Sequence, residues 1–221
     1  MCGQYTLELQ SPEIQYLCKR DKRLARVISA IGPLTYSLHQ DAYSFLIREI
    51  VEQMMSVKAA SVIYGRLVDL CSGNVTPDTI SSLTDDQLRS TGTSKAKVEY
   101  IRNVTRAVEQ GVWDFDSMYS MTDAEIIRLM TSVRGIGNWT AKMYLMFVLG
   151  RPDVLPFEDG AFCQTYRWLY KTEKCSAEDI KARCKKWSPF SSTAARYFYQ
   201  ALDRGYTKNE FHLYGQLHQE E

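Results

Sequence analysis

The chain has 221 residues, 45% of them hydrophobic and 24% charged, enough to bury a sizeable core as one domain or two tightly packed units. No apolar run is long enough to span a membrane, and the first residues, Met1-Cys-Gly-Gln-Tyr-Thr-Leu-Glu8, lack a signal-peptide pattern, so no membrane partner is expected. A formal net charge of +1 excludes a strongly basic nucleic-acid packaging protein but leaves room for a local basic face.

Ser11-Pro12-Glu13 is a helix start, with Ile14, Leu17 and Cys18 on one face. Asp21 opens a second helix whose apolar stripe is Leu24, Val27, Ile28 and Ile31, and Gly32-Pro33 ends it. Residues 41–71 mix Phe45, Ile47, Ile50, Val51 and Met54 with Arg48, Glu49 and Glu52, which predicts one long helix or two short ones. Gly73-Asn74 is a break, and Thr84 with Gln87 is a capping pair. The helix after Ser94 carries Lys95, Lys97, Arg102 and Arg106. Phosphate contact is one reading of these charges, and a solvated face is the commoner one.

Thr122 to Asp159 is the most informative stretch. Thr122 and Glu125 form a capping box, and Ile126, Ile127, Leu129, Met130 and Val133 give the helix that follows an apolar face. Gly135 and Gly137 then bracket Ile136, freeing the backbone for a tight turn. Asn138 is the expected cap of a second helix over 139–149, which Gly150 and Pro152 end. Exposed amides at a helix start suit a phosphate. No acidic side chain lies between Val133 and Leu149, and Arg134 and Lys142 flank the turn. An ordinary helix-turn-helix in a core is the alternative.

Beyond Asp159, Phe162, Tyr166, Leu169 and Tyr170 recur at helical spacing, a break falls near 171–174, and Ser176 caps another helix with Ile180 and Cys184 inward. The tail from Gly205 is polar and carries His212 and His218. Three histidines without paired spacing fit no metal site. The six cysteines, Cys2, Cys18, Cys71, Cys163, Cys175 and Cys184, include no CxxC pair. Free thiols in a cytoplasmic, nucleoid or nuclear protein are expected.

The run Val133-Arg-Gly-Ile-Gly-Asn-Trp-Thr-Ala141, followed by Leu149-Gly-Arg-Pro-Asp-Val-Leu-Pro-Phe-Glu-Asp159, resembles the helix-hairpin-helix DNA glycosylases, and most of all their 3-methyladenine (alkylated-base) branch. Asp159 lies 24 residues after Gly135, which is similar to the placing of that family's catalytic aspartate; Glu158 is the neighbouring carboxylate. Gln53, Ser56, Ala59 and Ala60 match the family pattern Ile-Val-x-Gln-Gln-x-Ser-x-x-Ala-Ala, with Met54 in place of the second glutamine. Leu88 to Ile101 resembles Gly-Leu-Ser-x-x-Lys-x-x-Tyr-Ile, with Thr93 for leucine. Trp187 to Ala195 resembles Trp-x-Pro-Tyr-Arg-Ser-x-Ala, with Ser191 where the motif has arginine. The matches run from Leu17 to Ala195.

The resemblance implies an all-α, two-lobed fold with an interlobe cleft, in which the extra β domain that precedes larger members is missing or reduced to a strand such as Tyr5 to Leu9. The hairpin lobe would be 41–155, and 1–40 plus 156–221 the other. It implies a glycosylase that flips an alkylated purine out of double-stranded DNA and releases it, with Asp159 as the catalytic residue. Such a base is already positively charged, so one carboxylate that stabilises the charged sugar is enough. Trp139, Phe157 and Tyr199 are candidates for stacking on the base, and Gln53 for a hydrogen bond near it; core packing or capping is the alternative for each. Met54 would fill the gap in the duplex, unless it is plain core. Ser56, Arg134, Gly135, Ile136, Gly137, Thr140 and Lys142 would complete the DNA surface. The carbonyls of Thr131, Val133 and Ile136 would hold a sodium or potassium ion. No other cofactor is implied: the spacing of Cys163, Cys175 and Cys184 lacks the fourth cysteine of the iron–sulfur relatives.

Relatives that also cut the strand carry a nucleophilic lysine where this chain has Trp139, so the resemblance implies a monofunctional enzyme. Lys142 lies on another side of that helix. A monomer acting on damaged duplex is expected. Two other readings are a lesion-binding protein without catalysis and a helical protein–protein module.

Overall fold

The computed structural model describes residues 4–214, so Cys2 and His218 lie outside the described residues. The chain divides into two compact units, one built from the residues up to Leu38 and from Gly150 onward, the other from His39–Leu149. None of the described helices is long and apolar enough to cross a membrane.

The first unit begins with β1 (Gln4–Leu7), α1 (Pro12–Arg20), α2 (Lys22–Ile31) and β2 (Leu34–Ser37). β1 and β2 pair antiparallel with Tyr5 opposite Tyr36, and those rings stack at 5.4 Å. Leu24, Val27, Ile28 and Ile31 are all buried, as the stripe requires. Asp21 caps α2 by accepting from the amides of Arg23 and Leu24. The same carboxylate, 2% exposed, also accepts from Tyr170 and from Trp187 Nε1 (3.0 Å) and pairs with Lys186 Nζ at 2.9 Å.

The second unit holds α3 (Ala42–Glu52), α4 (Val57–Leu70), α5 (Pro77–Ser82), α6 (Asp85–Ser90), α7 (Lys95–Glu109), α8 (Phe115–Met118), α9 (Asp123–Thr131) and α10 (Asn138–Phe147). α3 packs on α4, α7 and α10, and α9 packs on α10. The unit is closed at its two ends by the His39 amide donating to Phe147 O at 2.8 Å.

The first unit resumes with α11 (Gly160–Tyr170), α12 (Ala177–Cys184) and α13 (Ser191–Asp203). α13 packs on α11, α2 and α1. Trp187 stands edge-on to Phe162 and Phe198 in this core.

The all-α expectation holds apart from the β1–β2 pair, whose second strand the sequence did not announce. Residues 41–71 are two helices, not one. The expected cap at Asn138 is off by one residue. Gly137, extended at φ −100° and ψ 177°, is the cap, and Asn138 is the first helical residue. The helix also stops at Phe147, two residues short of the expected Leu149.

Candidate nucleic-acid interface and catalytic carboxylate

The hairpin lies wholly in the second unit. α9 is capped by Thr122 with Glu125 in a reciprocal box. The turn then closes through Val133 N to Met130 O and Ile136 N to Val133 O, both 3.1 Å. Gly135 sits at φ +109°, and a Cβ there would lie 2.4 Å from the Tyr100 side chain, so both backbone and space demand glycine. Gly137 is different. Its φ is ordinary, and a Cβ there would meet nothing within 4 Å. The fold does not need glycine at 137; a close approach from outside would.

Gly137 and Asn138 are exposed, and α10 has no side-chain cap. The first amides of a ten-residue helix therefore point outward with the positive end of its dipole behind them. The carbonyls behind the turn are tied down instead: Asn103 Nδ2 donates to Arg134 O at 3.1 Å, and Gln53 Nε2 to Gly135 O at 3.2 Å. Ile136, between the two glycines, is buried.

Other predicted contacts sort differently. Arg134 is exposed and pairs with Glu99 at 2.8 Å. Lys142 is 8% exposed and Thr140 is 1% exposed. Neither is a surface group flanking the turn, because α10 buries every residue from Thr140 to Met146. Gln53 is the C-cap of α3, and its side-chain amide donates to Gly135 O of the hairpin. Ser56 caps α4 through the Ala59 amide at 3.4 Å. Lys97 and Arg102 are not a solvated face either. Lys97 Nζ donates to Val51 O (2.8 Å) and Gln53 O (2.7 Å), and Arg102 Nη1 donates to Ile80 O at 2.7 Å.

Met54 stands between α3 and α4 at φ +56° with its side chain fully exposed. It is not core. Val57, 87% exposed, continues the apolar surface. Uncovered apolar side chains on a strained loop usually meet a partner.

Asp159 belongs to the first unit. It is the N-cap of α11, its Oδ1 accepting from the Phe162 amide at 2.7 Å, and it is 8% exposed. Its neighbour Glu158 is exposed. The segment that delivers Asp159 is sewn to the first turn of α13. Ser192 N donates to Pro152 O (3.0 Å), Ser192 Oγ to Arg151 O (2.6 Å), and Val154 N to Ser192 Oγ (2.9 Å). Asp153 accepts from Ser191 N at 3.2 Å and from the hydroxyls of Ser188 and Ser191. Ser191, at the place of the motif's arginine, thus binds the Asp153 carboxylate. Phe157 is half-buried with Lys181 Nζ 4.2 Å from its ring centre. Tyr199, on α13, and Trp139, in the first turn of α10, are half-buried too.

Asn103, Lys97 and Ser192 were missed as supporting residues. Each acts on a backbone group far away in sequence, and such contacts leave no local pattern.

Residues 47–190 match the model of the HhH-GPD superfamily of base excision DNA repair proteins. The crystal structure of a DNA-3-methyladenine glycosidase from Bacillus halodurans has a TM-score of 0.79 at 35% identity, covering 89% of this chain and 92% of that one. DNA-3-methyladenine glycosylase 1 of Schizosaccharomyces pombe is 27% identical over 183 residues, 81% of this chain and 80% of that protein. The S. pombe 3-methyladenine DNA glycosylase Mag1, in complex with abasic DNA, has a TM-score of 0.81 at 24% identity, covering 93% of this chain and 100% of that one. With the glycine hairpin, the buried aspartate and a family match over most of its length, this chain belongs to the HhH-GPD superfamily of base excision DNA repair proteins.

Proposed function

We propose that this DNA glycosylase releases alkylated, positively charged purines by hydrolysis, leaves an abasic site and does not cut the strand. The observation that carries the reading is Asp159, a buried carboxylate fixed by the start of α11. Charge develops on the sugar as the glycosidic bond breaks. A carboxylate already oriented in a water-poor site stabilises that charge and orients the attacking water. A leaving base that is already cationic needs no strong acid. Trp139 at the nucleophile position leaves no amine there to form a Schiff base, which supports monofunctional action.

The hairpin amides of Gly137 and Asn138 would bind a phosphate, and Met54 would occupy the space of the everted nucleotide. Trp139, Phe157 and Tyr199 are the proposed stacking groups. A monovalent cation fits the hairpin: its donors would be the neutral carbonyls of Thr131, Val133 and Ile136, with no carboxylate between Val133 and Leu149 to demand a higher charge. Val133 O already accepts from Ile136 N and keeps a second lone pair. The protein would act as a monomer on damaged duplex, in the cytoplasm and nucleoid or in a nucleus.

Asp159→Asn tests the reading cleanly. Asparagine caps a helix as well as aspartate does, so folding is retained while the charge is lost. Release of free base from a panel of defined lesion duplexes should fall by about a hundredfold or more. Unchanged release would remove Asp159 from the chemistry, and no release by the parent protein would leave only lesion binding. Strand breaks appearing before alkali treatment would overturn the monofunctional assignment.

A further inference from the structure

Three residues on one face of α7 each hold a different part of the DNA-facing surface of the second unit. Lys97 donates to the last carbonyls of α3, at Val51 and Gln53, directly before Met54. Tyr100, one turn on, packs under Gly135 so closely that no side chain fits between them. Asn103, a further turn on, holds Arg134 O at 3.1 Å. Residues at i, i+3 and i+6 lie along one side of a helix, spanning about 9 Å. Gln53 ties the two ends together: its carbonyl accepts from Lys97 and its amide donates to Gly135 O.

We propose that Lys97 is a positioning residue for Met54, and that the face Lys97–Tyr100–Asn103 sets the spacing between that side chain and the hairpin. This rests on the wedge role given to Met54 above. Packing does not hold the loop. Met54 itself is wholly exposed, and beneath it lies a cleft of about 350 Å³ lined by Gln53, Thr93 and Lys97, among others. Backbone bonds must hold it, and the Lys97 ammonium makes two of them. The same ammonium sits at the negative end of the α3 dipole. Burial pulls the Lys97 pKa below its usual range, so the ammonium forgoes hydration to sit there. A side chain driven between stacked bases must push against something fixed. Without Lys97 the backbone before Met54 loses two of its restraints and keeps only those from Met55 N to Glu52 O, Gln53 N to Glu49 O and Gln53 Nε2 to Gly135 O, so it yields more readily.

The test is a double-mutant cycle of Lys97→Met and Met54→Ala. The readouts are single-turnover base release, the fluorescence of 2-aminopurine placed beside the lesion, and duplex affinity by anisotropy. Lys97→Met should slow release by about tenfold or more and reduce the fluorescence rise. Affinity, set by the hairpin, should stay within about twofold, and the double variant should be no slower than Met54→Ala alone. Lys97→Arg should restore most of the rate. Multiplying effects in the double variant, or a loss confined to melting temperature or affinity, would overturn the proposal. If Lys97→Met does not fold, Asn103→Ala serves at the other end. It should weaken affinity while sparing release at saturation, and the reverse pattern would overturn the proposal. If Met54→Ala changes neither release nor fluorescence, the wedge and this inference fall together. The glycosylase reading then still stands or falls on Asp159→Asn.

Discussion

Gly135 and Gly137 are alike in the sequence and different in the fold. Gly135 must be glycine for the turn to exist: its φ is +109° and Tyr100 fills the space a methyl group would need. Gly137 has an ordinary backbone conformation and open surroundings. Gly135→Ala should therefore destabilise the protein by about 2 kcal/mol or more, seen as a lowered melting temperature. Gly137→Ala should melt like the parent and yet lose duplex affinity by about tenfold, measured by anisotropy, because only a ligand comes close enough to meet its methyl. Equal behaviour of the two variants would remove the hairpin from the DNA surface. The sequence singled out both glycines. It could not tell them apart, since what distinguishes them is Tyr100, 35 residues before Gly135.

At the scale of elements, several helix starts were legible. Ser11, Asp21, Thr84, Thr122 and Ser176 all stand at N-caps, because capping chemistry is local. What was illegible is how elements are joined. Lys97 and Arg102 read as solvated charges and prove to be bonded to carbonyls of other elements. The strap from Arg151 to Val154 lies in the run that carries the family resemblance, but nothing in it announced what it bonds to. Its bonds to Ser191 and Ser192 fix the segment that ends at Asp159. Asp153→Ala removes the acceptor for Ser188 and Ser191. It should cost about 1 kcal/mol in chemical denaturation and lower the base-release rate with little change in duplex affinity. An unchanged rate would mean that α11 alone orients the carboxylate.

At the scale of the molecule, stability should fall in acid through the buried Asp21. Burial alone would raise its pKa. Hydrogen bonds from Tyr170, Lys186 and the Leu24 amide outweigh that and hold it below its ordinary 3.8. Its stabilisation is therefore complete above that value and is lost as the pH falls through the lower, folded one. Asp21→Asn should destabilise the protein by about 2 kcal/mol or more at neutral pH. Its gap from the parent should narrow below pH 3.8, checked by urea melts along a pH series. A gap that stays constant would assign the acid sensitivity to another group.

Asp159 serves two masters, since the oxygen that opens α11 belongs to the group proposed for the chemistry. Exchanging one carboxyl oxygen for an amide nitrogen would silence the enzyme and leave the architecture whole. Inheritance can thus switch such a repair protein off in one nucleotide change, yielding a folded descendant that binds lesions and shields them instead of removing them.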